Sequence, residues 1–240
     1  MEQVLSTKED VARMAVRLAA QDLEASVQAH GRAAWVLAGG TTPVFAYAEM
    51  ADLHGSDQFW QDVTLVMGDE RLVPLASSDS NWGEFERATS GRLKVGNPLV
   101  PPVSMELVDA ADRYQSQIRE LIPEGSSGPR FDHVWLGMGE DGHTLSLFPG
   151  RPEVDVMNRL VLGIDESPKP PPRRITLSRA SFANVGHCVV MVTGQGKADA
   201  LADALAPGSD LPVAVIASFI ESCGGRVSWL IDEDAAARIR

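Results

Sequence analysis

Cysteine is scarce: the 240 residues hold only Cys188 and Cys223, without metal-like spacing. No disulfide framework is expected, and Cys188, inside an apolar run, reads as a buried core thiol. Long runs of one charge are also missing. No stretch of Lys or Arg exceeds the pair Arg173-Arg174, and 21 basic against 33 acidic residues leave a formal net charge of −12. That balance argues against a nucleic-acid surface. It leaves a phosphorylated small molecule open as ligand, because a few local cations suffice for one phosphate. Nowhere do about 20 apolar residues follow one another, as a membrane span requires. The first residues lack the basic region and apolar stretch of a secretory leader, so a cytoplasmic protein is expected. Internal repeats and obvious linkers are absent as well.

What is present is an alternation of short apolar runs, glycine-rich turns and amphipathic stretches. Apolar content of 44% and charged content of 22% are ordinary for a globular chain. Ser6-x-x-Glu9 reads as a capping box for a helix over 7–29 that Gly31 ends. Buried strands are predicted at 33–38, 63–67, 131–136, 160–164, 174–177, 188–192 and 227–231. Further helices are predicted after Pro43, from about Ser80, over 109–122 and over 198–206. Residues 94–104 read as irregular, 123–129 as a loop, 144–148 as a helical turn, and the end of the chain as an exposed tail. The fold class is therefore α/β: one domain over 1–240, a mainly parallel twisted sheet with helices on both faces, Rossmann-like in outline. Parallel strands gather their loops at one edge, so the turns after 38, 67, 136 and 192 are expected to converge.

Those turns carry the chemistry. Gly39-Gly40-Thr41-Thr42 precedes a helix, with Thr42 predicted as its cap and Pro43 in the first position. Its backbone N–H groups, hydroxyls and helix terminus suit a phosphate. Thr193-Gly194-Gln195-Gly196-Lys197 repeats that logic with a cation; Met191 and Ala198 exclude a Walker A loop. One of Arg173 and Arg174, at the entry to a strand, is placed to clamp phosphate. Gly68-Asp69-Glu70-Arg71 sets three charges directly after a strand, a polar wall for a hydroxylated substrate. The densest stretch is Gly137-Met-Gly139-Glu-Asp141-Gly142-His143. Its formal GxGxxG match suggests a dinucleotide, but Glu140-Asp141 would repel a pyrophosphate. His143 is a candidate general base, kept neutral by the dipole of the helical turn expected after it. None of the five histidines shows metal-ligand spacing.

Taken together, Gly137 to Pro149 resembles the signature of the 6-phosphogluconolactonases. Asp69-Glu70-Arg71, Asp79-Ser80-Asn81, Pro170 to Thr176 and Leu37 to Pro43 match that family in order and approximate spacing. The sister group, the glucosamine-6-phosphate deaminases, carries an Ala-Phe-Asn-Glu-Pro type of run where Ser146-Leu147-Phe148 stands here. Ala38 and Thr41 replace serines common in the lactonases. The resemblance implies hydrolysis of a phosphorylated sugar lactone without metal or other cofactor, by a monomer or weak homodimer. It implies His143 as base, oriented by Asp141. Arg71 or backbone N–H groups near Gly139 and Gly142 would stabilise the carbonyl oxygen. Gly40, Thr41, Thr42, Arg174 and Lys197 would hold phosphate, and Asp69 the sugar hydroxyls. The rivals are an amino-sugar phosphate deaminase, a non-catalytic sugar-phosphate sensor and, more distantly, a nicotinamide dehydrogenase.

Overall fold

The computed structural model describes residues 1–125 and 128–239. Strand β1 (Glu2–Leu5) leads into helix α1 (Lys8–His30). The cap falls one residue later than the Ser6 reading: the Thr7 hydroxyl accepts from the Asp10 N–H at 3.1 Å. Such a cap is worth about 1 kcal/mol. Gly31, at φ 73°, ends the helix in the left-handed region as predicted. Next come β2 (Ala33–Leu37), α2 (Thr41–His54), β3 (Val63–Met67), β4 (Asp69–Arg71), α3 (Asn81–Thr89), β5 (Asn97–Leu99) and α4 (Leu107–Leu121). A small hairpin of β6 (Glu124–Gly125) and β7 (Gly128–Pro129) stands in the segment read as a loop, of which 126 and 127 lie outside the described residues. The chain continues through β8 (Phe131–Gly137), β9 (Val161–Ile164), β10 (Arg174–Leu177) and β11 (Val185–Val192). Helices α5 (Ala198–Leu205) and α6 (Pro212–Ser222) precede the last strand, β12 (Arg226–Asp232).

Seven strands form the main sheet in the order β1-β12-β11-β8-β2-β3-β5, and every neighbouring pair is parallel. Strands buried on both faces need continuous apolar runs, and all five residues of β2 are buried. Trp35 and Leu37 point to one face, where α1, α2 and α3 pack around Trp60, Trp135 and Tyr47. Ala34 and Val36 point to the other, which α4, α5 and α6 cover. From β2 the chain steps outward through β3 to β5, whereas β8, β11 and β12 build the opposite half. The direction of winding reverses between β2 and β8, so their carboxyl-end loops part and leave a crevice.

A second sheet, β4-β10-β9, is antiparallel and closes over this edge. Gly68 makes the step from β3 to β4: its N–H donates to Leu37 O at 2.9 Å, and a Cβ there would lie 2.7 Å from the same oxygen. Asp69-Glu70-Arg71 is thus a strand rather than the predicted turn. Two further readings are corrected. Residues 144–148 are not helical. Thr144 and Leu147 pair across a tight turn with Leu145 at φ 54°, so no helix follows the GxGxxG match, as a dinucleotide fold would require. The terminal tail is not exposed throughout either. Ala235 and Ala236 are buried, and Asp232 accepts from the Ala235 N–H at 2.8 Å.

At the amino-terminal side of the sheet, Asp22 of α1 binds two neighbouring strands. Its Oδ2 accepts from Nδ1 of His133 (2.8 Å) and of His187 (2.7 Å), and its Oδ1 from Arg226 at 3.0 Å. These residues lie far apart in the chain and meet only through the sheet register.

Candidate active site

The crevice encloses about 310 Å³ between the loops that follow β2, β4, β8 and β11, with the proline-rich segment before β10 on one side. Both tyrosines of the chain brace its floor. The Tyr47 hydroxyl donates to Ala38 O (2.8 Å) and accepts from Ala38 N (2.9 Å), fixing the end of β2 on α2. The Tyr114 hydroxyl donates to Met67 O at 2.8 Å and to Leu99 O at 3.1 Å, fixing the ends of β3 and β5 on α4.

His143 faces the crevice from the turn after β8, with Nδ1 of its ring hydrogen-bonded to Asp141 Oδ1. Lys169 Nζ lies 3.2 Å from the other carboxylate oxygen, Oδ2. Burial alone would raise the Asp141 carboxyl, but the bonds from His143 and Lys169 outweigh it and hold it at about 2. An ionised carboxylate only accepts, so Nδ1 carries the proton and Nε2 keeps its lone pair. Among the described residues nothing hydrogen-bonds Nε2. Burial draws the His143 pKa below its ordinary value; Asp141 and Asp69 oppose this, and the Lys169 ammonium assists it. The neutral ring thus arises from burial, not from the helix dipole read from the sequence. The imidazole stacks on Phe148, with ring centroids 4.6 Å apart.

The turn owes its shape to two glycines. A Cβ at Gly139 would overlap the His143 ring and come within 2.6 Å of Asp141 Oδ1. Gly142 sits at φ 77°, and a Cβ there would lie 2.7 Å from Leu211 Cδ1. The Gly139 N–H donates to His143 O (2.8 Å) and the Gly142 N–H to Gly139 O (3.0 Å). Both are therefore occupied within the turn, and Gly142 does not line the crevice. These two N–H groups are thus turned inward, and Arg71 and the other N–H groups of the turn are the candidates to face a substrate oxygen.

Arg71 and Asp69 alternate with Glu70 along β4, so the first two face the crevice and Glu70 points away. The Glu70 carboxylate accepts from the N–H groups of Arg71 (2.7 Å), Asn81 (2.8 Å) and Trp82 (2.8 Å) and from the Ser80 hydroxyl (2.9 Å). Burial raises its pKa against these four donors. Glu70 thus anchors the start of α3 instead of contributing to a polar wall. Arg71 Nη1 donates to Asp79 O at 2.6 Å. Asp69 Oδ2 accepts from the Ser146 hydroxyl at 2.6 Å, and Oδ1 from Asn81 Nδ2 at 3.2 Å.

Further cations line the crevice, Arg174 beside Arg71 on the adjoining strand. Arg174, 4% exposed, donates to the carbonyls of Lys169 (3.0 Å), Pro170 (3.2 Å) and Pro171 (2.9 Å). Arg173 turns outward to Glu106 and Asp165, whereas Arg174 lines the crevice. Lys197 also lines the crevice; burial lowers its pKa while Asp232 and Glu140 oppose the shift. Gly40, at φ 106°, is the N-cap of α2, so Thr41, not Pro43, opens the helix. The Thr42 hydroxyl lies 2.6 Å from that of Thr193, joining the two glycine-threonine loops.

Residues 6–229 match the family described as glucosamine-6-phosphate isomerases/6-phosphogluconolactonase. The chain belongs to this family. The 6-phosphogluconolactonase of Mycobacterium tuberculosis is 37% identical over 224 residues, covering 90% of this chain and 88% of that one. That of Rattus norvegicus is 31% identical over 241 residues, covering 98% and 92%. The solved 6-phosphogluconolactonase of Trypanosoma brucei superposes with a TM-score of 0.88 at 28% identity, over 100% of this chain and 98% of that one. A monomeric glucosamine-6-phosphate deaminase shares the fold, with a TM-score of 0.77 at 20% identity over 99% of each chain.

Against this family background, one crevice residue, Lys169, and one supporting residue, Asp232, have no role in the reading of the sequence. Lys169 lies inside Ser167-Pro168-Lys169-Pro170-Pro171-Pro172, which looks like a stiff connection. Asp232 accepts the Gly194 N–H on both oxygens at 3.0 Å and shapes the loop before Lys197. Its signal was available: an acid at the end of an apolar strand, like Asp69 after β3. Ser146-Leu147-Phe148, where the deaminases differ, delivers a hydroxyl to Asp69 and an aromatic ring to His143. Among the described residues no helix is long and apolar enough to cross a membrane.

Proposed function

We propose that the chain hydrolyses 6-phospho-D-glucono-1,5-lactone to 6-phospho-D-gluconate, the lactonase step of the oxidative pentose phosphate pathway. One observation carries the reading: a neutral imidazole with a free Nε2 faces a crevice walled by Arg174 and Lys197. His143 Nε2 takes a proton from a water whose oxygen attacks the lactone carbonyl carbon. The carbonyl oxygen gains the negative charge, and Arg71 is the donor placed to stabilise it. As the intermediate collapses, the bond from carbon to the ring oxygen breaks. The imidazolium returns its proton to that oxygen, which becomes a hydroxyl, and the new carboxylic acid ionises in water. Asp141 holds the ring in the required tautomer throughout. Arg174, Lys197 and the α2 terminus at Gly40-Thr41-Thr42 bind the phosphate, and Asp69 binds sugar hydroxyls. Binding remote from the carbonyl fixes its position relative to His143.

The deciding experiment is turnover of freshly prepared lactone, with spontaneous hydrolysis subtracted. Acceleration is expected, together with no ammonia from glucosamine 6-phosphate; the reverse pair of results would establish a deaminase. Lys197→Ala should raise KM about ten- to hundredfold with a smaller fall in kcat, since a charge-assisted bond contributes about 1.5–3 kcal/mol. A fall in kcat at constant KM would contradict a phosphate role for Lys197.

The acid side of the pH profile follows from the same geometry. A protonated ring cannot take a proton from water, so kcat/KM is lost as pH falls through the His143 pKa. Burial places that value below 6.5, and Asp141, at about 2, does not titrate in the same window. An acid limb of kcat/KM centred below pH 6.5 is expected; one centred above it would point to a different base.

A further inference from the structure

Lys169 belongs to neither the phosphate-binding loops nor the Asp141-His143 turn, yet its ammonium reaches the pair. Nζ stands 3.2 Å from Asp141 Oδ2 and 3.3 Å from His143 Nδ1. Two arrangements of protons are compatible with the second distance. In one, Lys169 donates to a bare Nδ1; this sets a lone pair against the Asp141 carboxylate, which lies closer still. In the other, Nδ1–H donates to Asp141 and Lys169 is held beside it by the second carboxylate oxygen. Only the second leaves each atom with a complementary neighbour. The lysine is held in turn by its own backbone. Its carbonyl accepts from Arg174 Nη2 at 3.0 Å, and its N–H donates to the Ser167 hydroxyl at 3.3 Å. Prolines on both sides, Pro168 and Pro170, restrict the backbone at this point.

We propose that Lys169 is a positioning residue: clamped on Asp141, it fixes that carboxylate against His143 and disfavours the doubly protonated ring. The proposal rests on His143 being the base. A carboxylate alone would orient the imidazole but would also stabilise the imidazolium and so weaken the base at neutral pH. A cation on the far carboxylate oxygen keeps the orientation and cancels part of that stabilisation. The other charged groups near His143 are Asp69, across the crevice, and Arg174, on the Phe148 ring that stacks against the imidazole. Neither touches Asp141. Glu140, the remaining acid of the turn, lies toward Gly196 and Lys197.

The test compares the full-length wild type with Lys169→Met and Lys169→Arg by two independent readouts. The first is NMR titration of the His143 ring, which needs no turnover. The second is the pH profile of kcat and KM with 6-phosphogluconolactone. In Lys169→Met the His143 pKa should rise and the acid limb of kcat/KM should move to higher pH with it. The maximal kcat should fall on the order of tenfold, with KM within about twofold of wild type. Lys169→Arg should restore both. An unmoved His143 titration in Lys169→Met overturns the proposal, and so does a rise in KM with an unmoved acid limb, which would make Lys169 a substrate ligand. If the titration shifts but the wild type hydrolyses no lactone, the function assigned above fails while the positioning role stands.

Discussion

His143→Ala is expected to lower kcat by about 10²–10⁴-fold, the usual contribution of a positioned general base. KM should change little, because Arg174 and the α2 terminus are held by hydrogen bonds that do not involve His143. An equal fall in kcat and kcat/KM would mark an interaction made only in the transition state. Some acceleration over water should survive, since substrate can still bind and Arg71, the proposed donor to the carbonyl oxygen, is untouched. The ring contributes chiefly a stack on Phe148, so the variant should fold. A circular dichroism spectrum and a Tm close to wild type would confirm this. Turnover within a few-fold of wild type would falsify the assignment of His143 as base.

A second large effect is expected at a residue without a side chain. In Gly139→Ala, the new methyl group would occupy the volume of the His143 ring and crowd Asp141 Oδ1. The ring cannot yield freely, because Phe148 packs against it and the Gly139 N–H bonds the His143 carbonyl. The pair must therefore shift by something like a bond length, and a misplacement on the order of 1 Å costs about 10²-fold in rate. The groups proposed to bind phosphate lie elsewhere, so the loss should fall on kcat, with KM and Tm near their wild-type values. Full activity in Gly139→Ala would show that Nε2 need not occupy the position described here.

These two residues also mark how far the sequence can be read. A buried strand followed by glycines, acids and a histidine identifies a site at a sheet edge, and the four converging loops follow from parallel pairing alone. Gly139 is legible as a glycine but not as the seat of an imidazole, because that task depends on a contact four residues away across a turn. Leu145 at φ 54° defeats the helical reading of 144–148: nothing in the residue type announces a left-handed backbone. Asp69-Glu70-Arg71 is too short and too charged to look like a strand. It becomes one because β10 offers a partner, with Thr176 opposite Asp69 and Arg174 opposite Arg71. Helix α6 was missed because its apolar residues run nearly unbroken from Pro212 to Ile220, without the polar face that reveals helical spacing. The role of Lys169 requires knowing that a proline-rich connection folds back over the crevice.

The pairing at the sheet edge has a consequence for how the chain is made. Strand β1 lies parallel to β12, and the Met1 amine donates to the carbonyl of Val227, 226 residues further on. At a synthesis rate of roughly 5–20 residues per second, the first strand waits about 10–45 seconds for its partner. Strand β11, finished at Val192, lacks the neighbour that covers its outer edge only until β12 begins at Arg226, about 2–7 seconds at the same rate. Asp232, which shapes the loop before Lys197, arrives with the same strand. On the ribosome, the His143 turn and the α2 terminus can therefore be in place before the lysine side of the crevice is set.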